Sequence, residues 1–272
     1  IYKLENLQYG KLHENTNLTF RLAPTLNGVG FLDEIEDKDI LKNEDEFDKN
    51  SDGISGKANF VYSPLSNKVE LGKYSYKATL ATLKEQVANA ASNDMGLTNS
   101  IYPNENCTKN QKECNEALKG IDSFDLTDER LDAIEYYVKN FKTYQNKNIK
   151  NHQGYEIFKE ISCNKCHIES FTLKDGKKIY PFSDLLLHDM GEDLADKVSQ
   201  FKALGNEWRT TPLWGLSSFN QKKGNRLLHD GRANDFQEAI LWHGGEALSA
   251  KKSYMNLKKE DRTSLLQFLG EL

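Results

Sequence analysis

One short segment constrains this 272-residue chain more than any other: Cys163-Asn164-Lys165-Cys166-His167. Its two thiols stand about one helical turn apart, and a histidine follows the second thiol directly. Covalent attachment of a c-type haem requires this spacing, because each thiol adds to one vinyl group and the imidazole reaches the iron from the proximal face. The segment therefore predicts one haem c in this chain, anchored by Cys163 and Cys166, with His167 as the proximal iron ligand.

Two other interpretations of the segment are weaker. A redox Cys-x-x-Cys motif has no need of His167, and its usual βαβ surroundings are missing from the sequence pattern. Half of a zinc site would need a second pair of ligands at close spacing, which Cys107 and Cys114 do not offer.

The composition fits a core that is completed by a cofactor. Only 38% of the residues are hydrophobic and the mean hydropathy is −0.71, which is lean for this length. The formal charge of −5 comes from interspersed acids and bases, which offer no basic surface for nucleic acid or an anionic membrane. No apolar run approaches the roughly 20 residues of a membrane span. We expect neither a nucleic-acid partner nor a membrane span.

The remaining cysteines and the first residue bear on the compartment. Cys107 and Cys114 enclose a short polar loop and should form a disulfide in an oxidising compartment; two reduced thiols are the cytosolic alternative. The chain begins at Ile1 without an initiator methionine or signal peptide, as expected of a mature or trimmed product. Because haem c is attached outside the cytoplasm, the sequence predicts an exported, periplasmic bacterial protein.

Hydrophobic periodicity predicts helices separated by long loops. Weak alternation over 1–35 favours short strands or extended loops, and the acidic stretch 36–72 is typical of a structured loop. Thr127 is in position to cap the clearest helix, and the polar run 144–150 is the best linker candidate. The predicted helices are 80–92, 128–141 with an apolar stripe of Leu131, Ile134, Val138 and Phe141, one from 154 to 159 before the cysteine segment, and 258–269.

A faint internal repeat relates the two halves of the chain. Three segments of the first half have counterparts in the second half in the same order, which favours a duplication. Nothing in the first half resembles the Cys-x-x-Cys-His segment, so its counterpart is expected before Ile1. The matching pairs are 24–29 with 211–216, 83–87 with 236–240, and the helix of Ile134, Tyr137 and Val138 with the helix of Leu265, Phe268 and Leu269.

The sixth position of the iron has four candidate ligands downstream: His188, Met190, His229 and His243. A distal His or Met would make an electron-transfer centre, whereas an open position would allow peroxide chemistry. His243 stands out because it ends a helix-like stretch, and the glycines at 244–245 would let the backbone approach the porphyrin. For any single histidine, a hydrogen-bonded structural role is the usual alternative.

A second motif has the opening of a calcium loop. Asp48, Asn50 and Asp52 occupy positions 1, 3 and 5, Gly at position 6 permits the sharp turn, and the Ile54 carbonyl would follow. Position 12 is Asn59 rather than the usual bidentate Glu. A polar turn rich in Asx residues is the alternative.

Several large side chains of the second half have two plausible roles. Trp208, Trp214 and Trp242 are expected to pack around the porphyrin, or to shorten an electron path between haems. Arg209 and Arg232 carry forked donors that suit haem propionates, although each also fits an ordinary surface or loop position.

Five segments together resemble the di-haem oxidoreductase family, whose members are regarded as peroxidases and sometimes labelled thiol oxidoreductases. They are related to the bacterial di-haem cytochrome c peroxidases, and the resemblance covers essentially the whole chain. The segments are Cys163–His167, 184–191 (Asp-Leu-Leu-Leu-His-Asp-Met-Gly), 208–216 (Trp-Arg-Thr-Thr-Pro-Leu-Trp-Gly-Leu), 228–233 (Leu-His-Asp-Gly-Arg-Ala) and 238–246 (Glu-Ala-Ile-Leu-Trp-His-Gly-Gly-Glu).

The resemblance implies further properties. The sixth ligand of the C-terminal haem falls on His243, with Met190 as the alternative. Family members usually hold another haem in an N-terminal domain. This sequence has no second Cys-x-x-Cys-His, so either the first haem domain was removed, which the partial repeat favours, or this member lacks that haem. Related peroxidases carry calcium between their haem domains and place peroxide turnover at the N-terminal haem, so this chain would mainly be the electron-transfer half; its catalytic residues stay unknown.

The sequence as a whole predicts a mainly α protein. We expect a cytochrome c-like haem domain at 146–272, preceded at 1–145 by a loop-rich mixed region that resembles the remainder of a second such domain. The predicted function is periplasmic electron transfer within a di-haem peroxidase-like oxidoreductase, served by a redox partner protein or small electron donor. A non-enzymatic electron carrier, or a haem module for a partner protein, is the alternative.

Overall fold

The computed structural model describes residues 4–118, 123–141, 149–219 and 226–272. These residues form helices joined by long loops, with three small antiparallel sheets. Short 3-10 turns include Val29–Glu34, Cys163–Lys165 and Gly245–Ala247. The helices are α1 Asp37–Leu41, α2 Leu83–Met95, α3 Lys112–Glu116, α4 Asp128–Lys139, α5 Gln153–Glu160, α6 Phe236–Trp242, α7 Leu248–Asn256 and α8 Lys259–Leu269; the strands are β1 Phe60–Ser63, β2 Lys68–Leu71, β3 Phe171–Thr172, β4 Lys178–Ile179, β5 Leu187–Asp189 and β6 Glu207–Arg209.

The helix signals of the sequence were mostly accurate, with two corrections at helix starts. Helix α2 begins at Leu83, three residues later than predicted, because Thr82 forms a reciprocal capping box with Glu85. Thr127 does stand at the N-cap position of α4, but its side chain makes no capping hydrogen bond.

The stretch 36–72 is more regular than the predicted loop. It contains α1 and the β1–β2 hairpin, in which Phe60 pairs with Leu71. The β-branched Val61 and Val69 and the aromatic residues suit such a hairpin, but four-residue strands are too short to give a clear alternation. Conversely, the described part of 1–35 forms no strand and only one 3-10 turn.

The predicted linker at 144–150 lies mostly outside the described residues. Its last two residues belong instead to the 3-10 turn Ile149–Asn151, where Ile149 is buried in the core of the second half. The predicted disulfide is present between Cys107 and Cys114, whose Cα atoms are 6.1 Å apart. In the part of the chain that the structure describes, no helix has the length and apolar character of a bilayer span.

The two halves of the chain contact each other through the repeated glycine segments. A Cβ atom on Gly28 would lie 2.4 Å from the Trp214 indole, and one on Gly215 would lie 2.4 Å from the Asn27 side chain. Both glycines have positive φ. The contacts are reciprocal because Asn27-Gly28 and Trp214-Gly215 are the matching positions of the repeat.

The same correspondence continues into the next pair of segments. An isolated antiparallel bridge joins Tyr74 to Leu80 shortly before α2, and another joins Leu227 to Ala233 shortly before α6. Each bridge is followed by a side-chain N-cap, from Thr82 and Asp235 respectively. The repeat seen in the sequence thus coincides with matching local structure.

Candidate functional site

A cavity of about 390 Å³ lies between the two halves and is bordered by the cysteine segment. Its volume falls within the usual range for small-molecule and cofactor sites. The lining includes Phe158 at the end of α5, and Phe236 and Ile240 of α6. The first half contributes residues 22–25, Asp52, Ile54 and Tyr76 to the lining. The mostly apolar walls suit a large flat cofactor with few polar groups.

The cysteine segment follows a sharp break in the helix. Ser162 has φ +68°, which ends α5 and starts the 3-10 turn Cys163–Lys165. Both thiols are free and border the cavity. Burial raises the pKa of the Cys163 thiol to about 12. Reactive redox cysteines have a lowered pKa, so this thiol does not have the character of a redox Cys-x-x-Cys.

His167 is half-buried and held in one orientation. Its Nδ1 donates a hydrogen bond to the Phe182 carbonyl oxygen at 2.8 Å. Because a carbonyl only accepts, Nδ1 carries the proton and Nε2 keeps a lone pair. Burial lowers the pKa of His167 to about 4, so the ring is neutral at pH 7. No described residue hydrogen-bonds Nε2, which leaves it available to a metal.

His243 also lines the cavity and has the same arrangement. It stands at the C-cap of α6, as the sequence indicated, and its Nδ1 donates to the Ala239 carbonyl at 2.7 Å. Burial lowers the pKa of this imidazole too, and the proximity of His243 contributes to the low pKa of His167. Two neutral imidazoles with free Nε2 atoms therefore border one cavity.

The other candidate ligands have different surroundings. His229 stacks on the Trp208 ring with centroids 3.7 Å apart, and burial lowers the pKa of His229 to about 4. Met190 borders the cavity. His188 has both ring nitrogens occupied, with Nε2 2.8 Å from Asp184 Oδ2 and Nδ1 2.7 Å from a Glu246 carboxylate oxygen. With both nitrogens engaged, His188 has no lone pair for iron.

The two glycines after His243 were expected to let the backbone approach the porphyrin; in the structure they lie against the end of another protein segment, β5. A Cβ on Gly245 would lie 2.2 Å from the Asp189 carbonyl oxygen, and one on Gly244 would lie 2.9 Å from that of Met190. Because these glycines have no side chain, the end of β5 can pack against the turn Gly245–Ala247. Their role is to bring two protein segments together.

The two candidate arginines differ sharply. Arg209 is buried, borders the cavity, and donates only to the carbonyl oxygens of Ser75 and Thr210. It makes no ion pair with any described residue. Arg232 pairs with Asp230, lies over the Trp242 ring, and is absent from the cavity lining.

Two of the three tryptophans, Trp208 and Trp214, border the cavity, whereas Trp242 does not. Trp214 is also buried in a core cluster that combines residues of both halves. Trp208 lies under a buried Lys77, whose Nζ is 4.0 Å from the ring centroid.

The Asp48–Gly53 loop folds on itself and contacts the cysteine segment. Asp48 accepts hydrogen bonds from the backbone of Asp52 and Gly53, and Asn50 also accepts from Asp52. One oxygen of Asp52 forms a 2.8 Å ion pair with Lys165, between the two cysteines. Ile54 borders the cavity next to this loop. Among the described residues, the only metal-type cluster of His, Cys, Asp and Glu atoms lies at Glu105 and the disulfide.

Sequence reasoning missed the role of Glu246 and Asp184. Glu246 was seen only as the end of a family-like segment, and Asp184 as the start of another. Asp184 lies four residues before His188, and Glu246 lies three residues after His243. These spacings were the available signal, but they have meaning only where the segments are known to contact each other.

Comparison with protein families finds one match across nearly the whole chain. The family model described as "Di-haem oxidoreductase, putative peroxidase" matches residues 3–272. No protein of curated function matches. Among solved structures, hydrazine synthase of Kuenenia stuttgartiensis, studied under xenon pressure, is 19% identical with a TM-score of 0.35. The match covers 56% of this chain and only 58% of that one, and so weak a likeness carries no argument.

Proposed function

This chain belongs to the di-haem oxidoreductase family, and we propose that it binds one covalently attached haem c and transfers electrons through it. Membership of the family implies a haem cofactor and redox chemistry. The finer proposal is electron transfer in the bacterial periplasm, as part of a peroxidase-like oxidoreductase. The cytochrome c-like domain at 146–272, and the remainder of a first haem-type domain at 1–145, belong to the same proposal.

The observation that carries the proposal is the pair of imidazoles that border the cavity with the two thiols. His167 and His243 each donate Nδ1–H to a backbone carbonyl, and this bond fixes the tautomer that leaves Nε2 basic. Metal-ligating histidines almost always have such a partner. Cys163 and Cys166 would form the thioether bonds, His167 would bind the proximal face of the iron, and His243 the distal face.

The charge and shape of the cavity support the same cofactor. Arg209 is a buried guanidinium without a carboxylate partner among the described residues, and burial lowers its pKa to about 10, so it stays charged at pH 7. A buried cation is costly unless an anion compensates it. Haem propionates would supply that anion, and Arg209 would hold them with its free donors.

The bound haem would supply a one-electron couple between ferrous and ferric iron. The protein's own contribution is to orient both imidazoles, to keep them unprotonated through burial, and to exclude water with Phe158, Phe236 and Ile240. A His on each face is typical of a centre that transfers electrons, because no position is open to a substrate. A redox partner protein or small donor would exchange electrons with it.

The test is optical spectroscopy of full-length protein made in a host competent in cytochrome c maturation. We expect a pyridine haemochrome of the c type, and an oxidised spectrum without the far-red band that Met ligation produces. His243→Ala should convert the iron to a high-spin or ligand-exchangeable form, whereas Met190→Leu should leave the spectrum unchanged. Colourless protein, or zinc in place of iron, would contradict the proposal.

The alternative is a non-enzymatic electron carrier, which a fully ligated iron also fits. The two functions separate in a peroxide assay with the reduced haem protein. Consumption of hydrogen peroxide with a small-molecule or cytochrome donor supports the peroxidase; no reaction with peroxide supports the carrier.

Calcium at Asp48, Asn50, Asp52 and the Ile54 carbonyl remains a proposal of its own. The loop has the tight turn of a calcium site, supported by the hydrogen bonds that Asp48 accepts from the backbone. Binding would compete with Lys165 for Asp52. A rise in thermal stability with calcium but not with magnesium, lost in Asp48→Asn, would support it.

A further inference from the structure

A buried polar network joins three separate segments beside the cavity. Its centre is His188 on β5, which is 3% exposed and bonded to Asp184 at 2.8 Å and to Glu246 at 2.7 Å. Ser55 of the first half adds two bonds to Glu246, from its backbone N–H at 3.0 Å and from its hydroxyl at 2.5 Å. A ring that donates to two carboxylates must carry both protons, so His188 is an imidazolium.

One end of this network holds the cysteine segment. The backbone N–H of Asp184 donates to the Cys166 carbonyl oxygen at 2.9 Å. The Nδ1 atom of His188 also lies 3.6 Å from the Cys166 sulfur. Cys166 directly precedes His167, so the position of His188 is tied to that of the proximal imidazole.

The other end holds the turn that follows His243. Glu246 lies three residues after His243, in the turn Gly245–Ala247, and also accepts a hydrogen bond from the Asp189 backbone at 3.3 Å. The same turn is in close backbone contact with residues 189–191 because Gly244 and Gly245 have no side chain. His243 is the C-cap residue of the seven-residue helix α6. A helix this short is not stable alone, so contacts with other segments must hold its end in place.

We propose that His188 and Glu246 are positioning residues that hold the His243 segment at a fixed distance from the His167 segment. The inference rests on the proposed function, because it assumes that both imidazoles bind one iron. Charge-assisted hydrogen bonds are short and directional, and an imidazolium between two carboxylates fixes both partners at once. Neither residue would contact the iron; each would act through the His243 imidazole.

The test compares ferric holoprotein carrying Glu246→Gln with wild type. Gln keeps the shape of Glu246 but removes its charge, which weakens the bond to His188. We expect the covalent haem content to stay the same while cyanide, which must displace His243, binds about 10- to 100-fold more tightly. The high-spin fraction should rise in parallel. Glu238→Gln, on α6 and bonded to Asn234, is the matched control and should bind cyanide like wild type.

A second variant covers the case in which Glu246→Gln does not fold. Ser55→Ala removes one hydrogen bond to Glu246 without leaving a buried charge unpaired, and should shift cyanide affinity in the same direction by a few-fold. His188→Gln should match Glu246→Gln, and the double variant should add little, because both residues act as one unit.

The outcomes are distinct for the two proposals. Wild-type cyanide affinity in Glu246→Gln, or in folded Ser55→Ala, would overturn the positioning role and leave haem ligation intact. A wild-type iron that is not ligated by His243 would overturn both, and His243→Ala identifies this case because it would then change nothing.

Discussion

The two repeat halves place equivalent helices in opposite surroundings. In the second half, α8 is covered by α5, and Leu265, Phe268 and Leu269 are 0%, 0% and 7% exposed. The equivalent residues of α4 are Ile134, Tyr137 and Val138; Ile134 and Tyr137 are 41% and 63% exposed, and Val138 is half-buried. The apolar stripe that the sequence predicted on α4 is therefore buried only in part.

The difference in exposure between α8 and α4 follows from the helix that packs against each of them. Helix α5 packs so closely on α8 that a Cβ on Gly154 would lie 2.2 Å from the Ser264 carbonyl oxygen. It also leads directly into the cysteine segment, so the best-packed helix pair supports the candidate haem site. In the described part of the first half, α4 packs on α2 and on the turn after Gly28, with no counterpart of α5. One repeat thus keeps its helices without the helix that makes the other repeat a candidate haem site.

The largest expected contrast is between the two cysteine pairs. Cys163→Ala with Cys166→Ala should abolish covalent haem completely, since no thiol remains beside the cavity. Cys107→Ser with Cys114→Ser should keep full haem content and lose only about 2–3 kcal/mol of unfolding free energy, by the loop-closure entropy of a short loop. Haem staining after denaturing electrophoresis and urea unfolding measure the two effects. Haem retained in the first variant would refute the assignment of the anchors.

The next largest contrast is the loss of unfolding free energy at the equivalent aromatic positions Phe268 and Tyr137. Phe268→Ala removes a ring packed against Phe158 and Phe182, with centroids 5.4 and 5.9 Å away, and should cost about 3–5 kcal/mol. Tyr137→Ala on exposed α4 should change the unfolding free energy by no more than about 0.5 kcal/mol. Equal losses in urea unfolding would mean that α4 is covered in solution.

The parts of the fold that the sequence revealed are those governed by local rules. The Cys-x-x-Cys-His spacing, the periodicity of α4 and α8 and the proximity of Cys107 to Cys114 each depend on residues close together in the chain. The position of His243 at the end of a helix was also indicated by the sequence, because two glycines follow it.

What the sequence did not reveal depends on segments far apart. The network of Ser55, His188 and Glu246 joins residues that are up to 191 positions apart. The contact of Gly244 with the end of β5 was not foreseen, because that end of the strand has no local signal. His188 alone could equally have been an iron ligand, and only its two carboxylate partners exclude that.

The reciprocal glycine contacts give a smaller, symmetric prediction. Gly28→Ala and Gly215→Ala should each destabilise the protein by about 2–4 kcal/mol, because positive φ and a blocked Cβ position add. Gly176→Ala, with φ +81° but open space around its Cβ, isolates the backbone part and should cost about 1–2 kcal/mol. If thermal unfolding shows that only one of the first two is affected, the two contacts are not equivalent.

Two buried carboxylates, one from each half, should respond to pH in opposite directions. Burial alone would raise the pKa of Glu246, but hydrogen bonds from His188 and Ser55 hold it at about 2, below its ordinary 4.5. Its stabilisation is present above pH 4.5 and is lost as the pH falls towards 2. Burial raises the pKa of Asp33 in the first half despite bonds from Tyr74 and Leu83, so its stabilisation is present in acid and is lost as the pH rises through that pKa.

Urea midpoints across the acid range should therefore fall less steeply towards low pH in Glu246→Gln than in wild type, and more steeply in Asp33→Asn. The exposed Glu192→Gln should retain the wild-type slope, and the same slope in all four proteins would show that neither buried carboxylate governs acid stability.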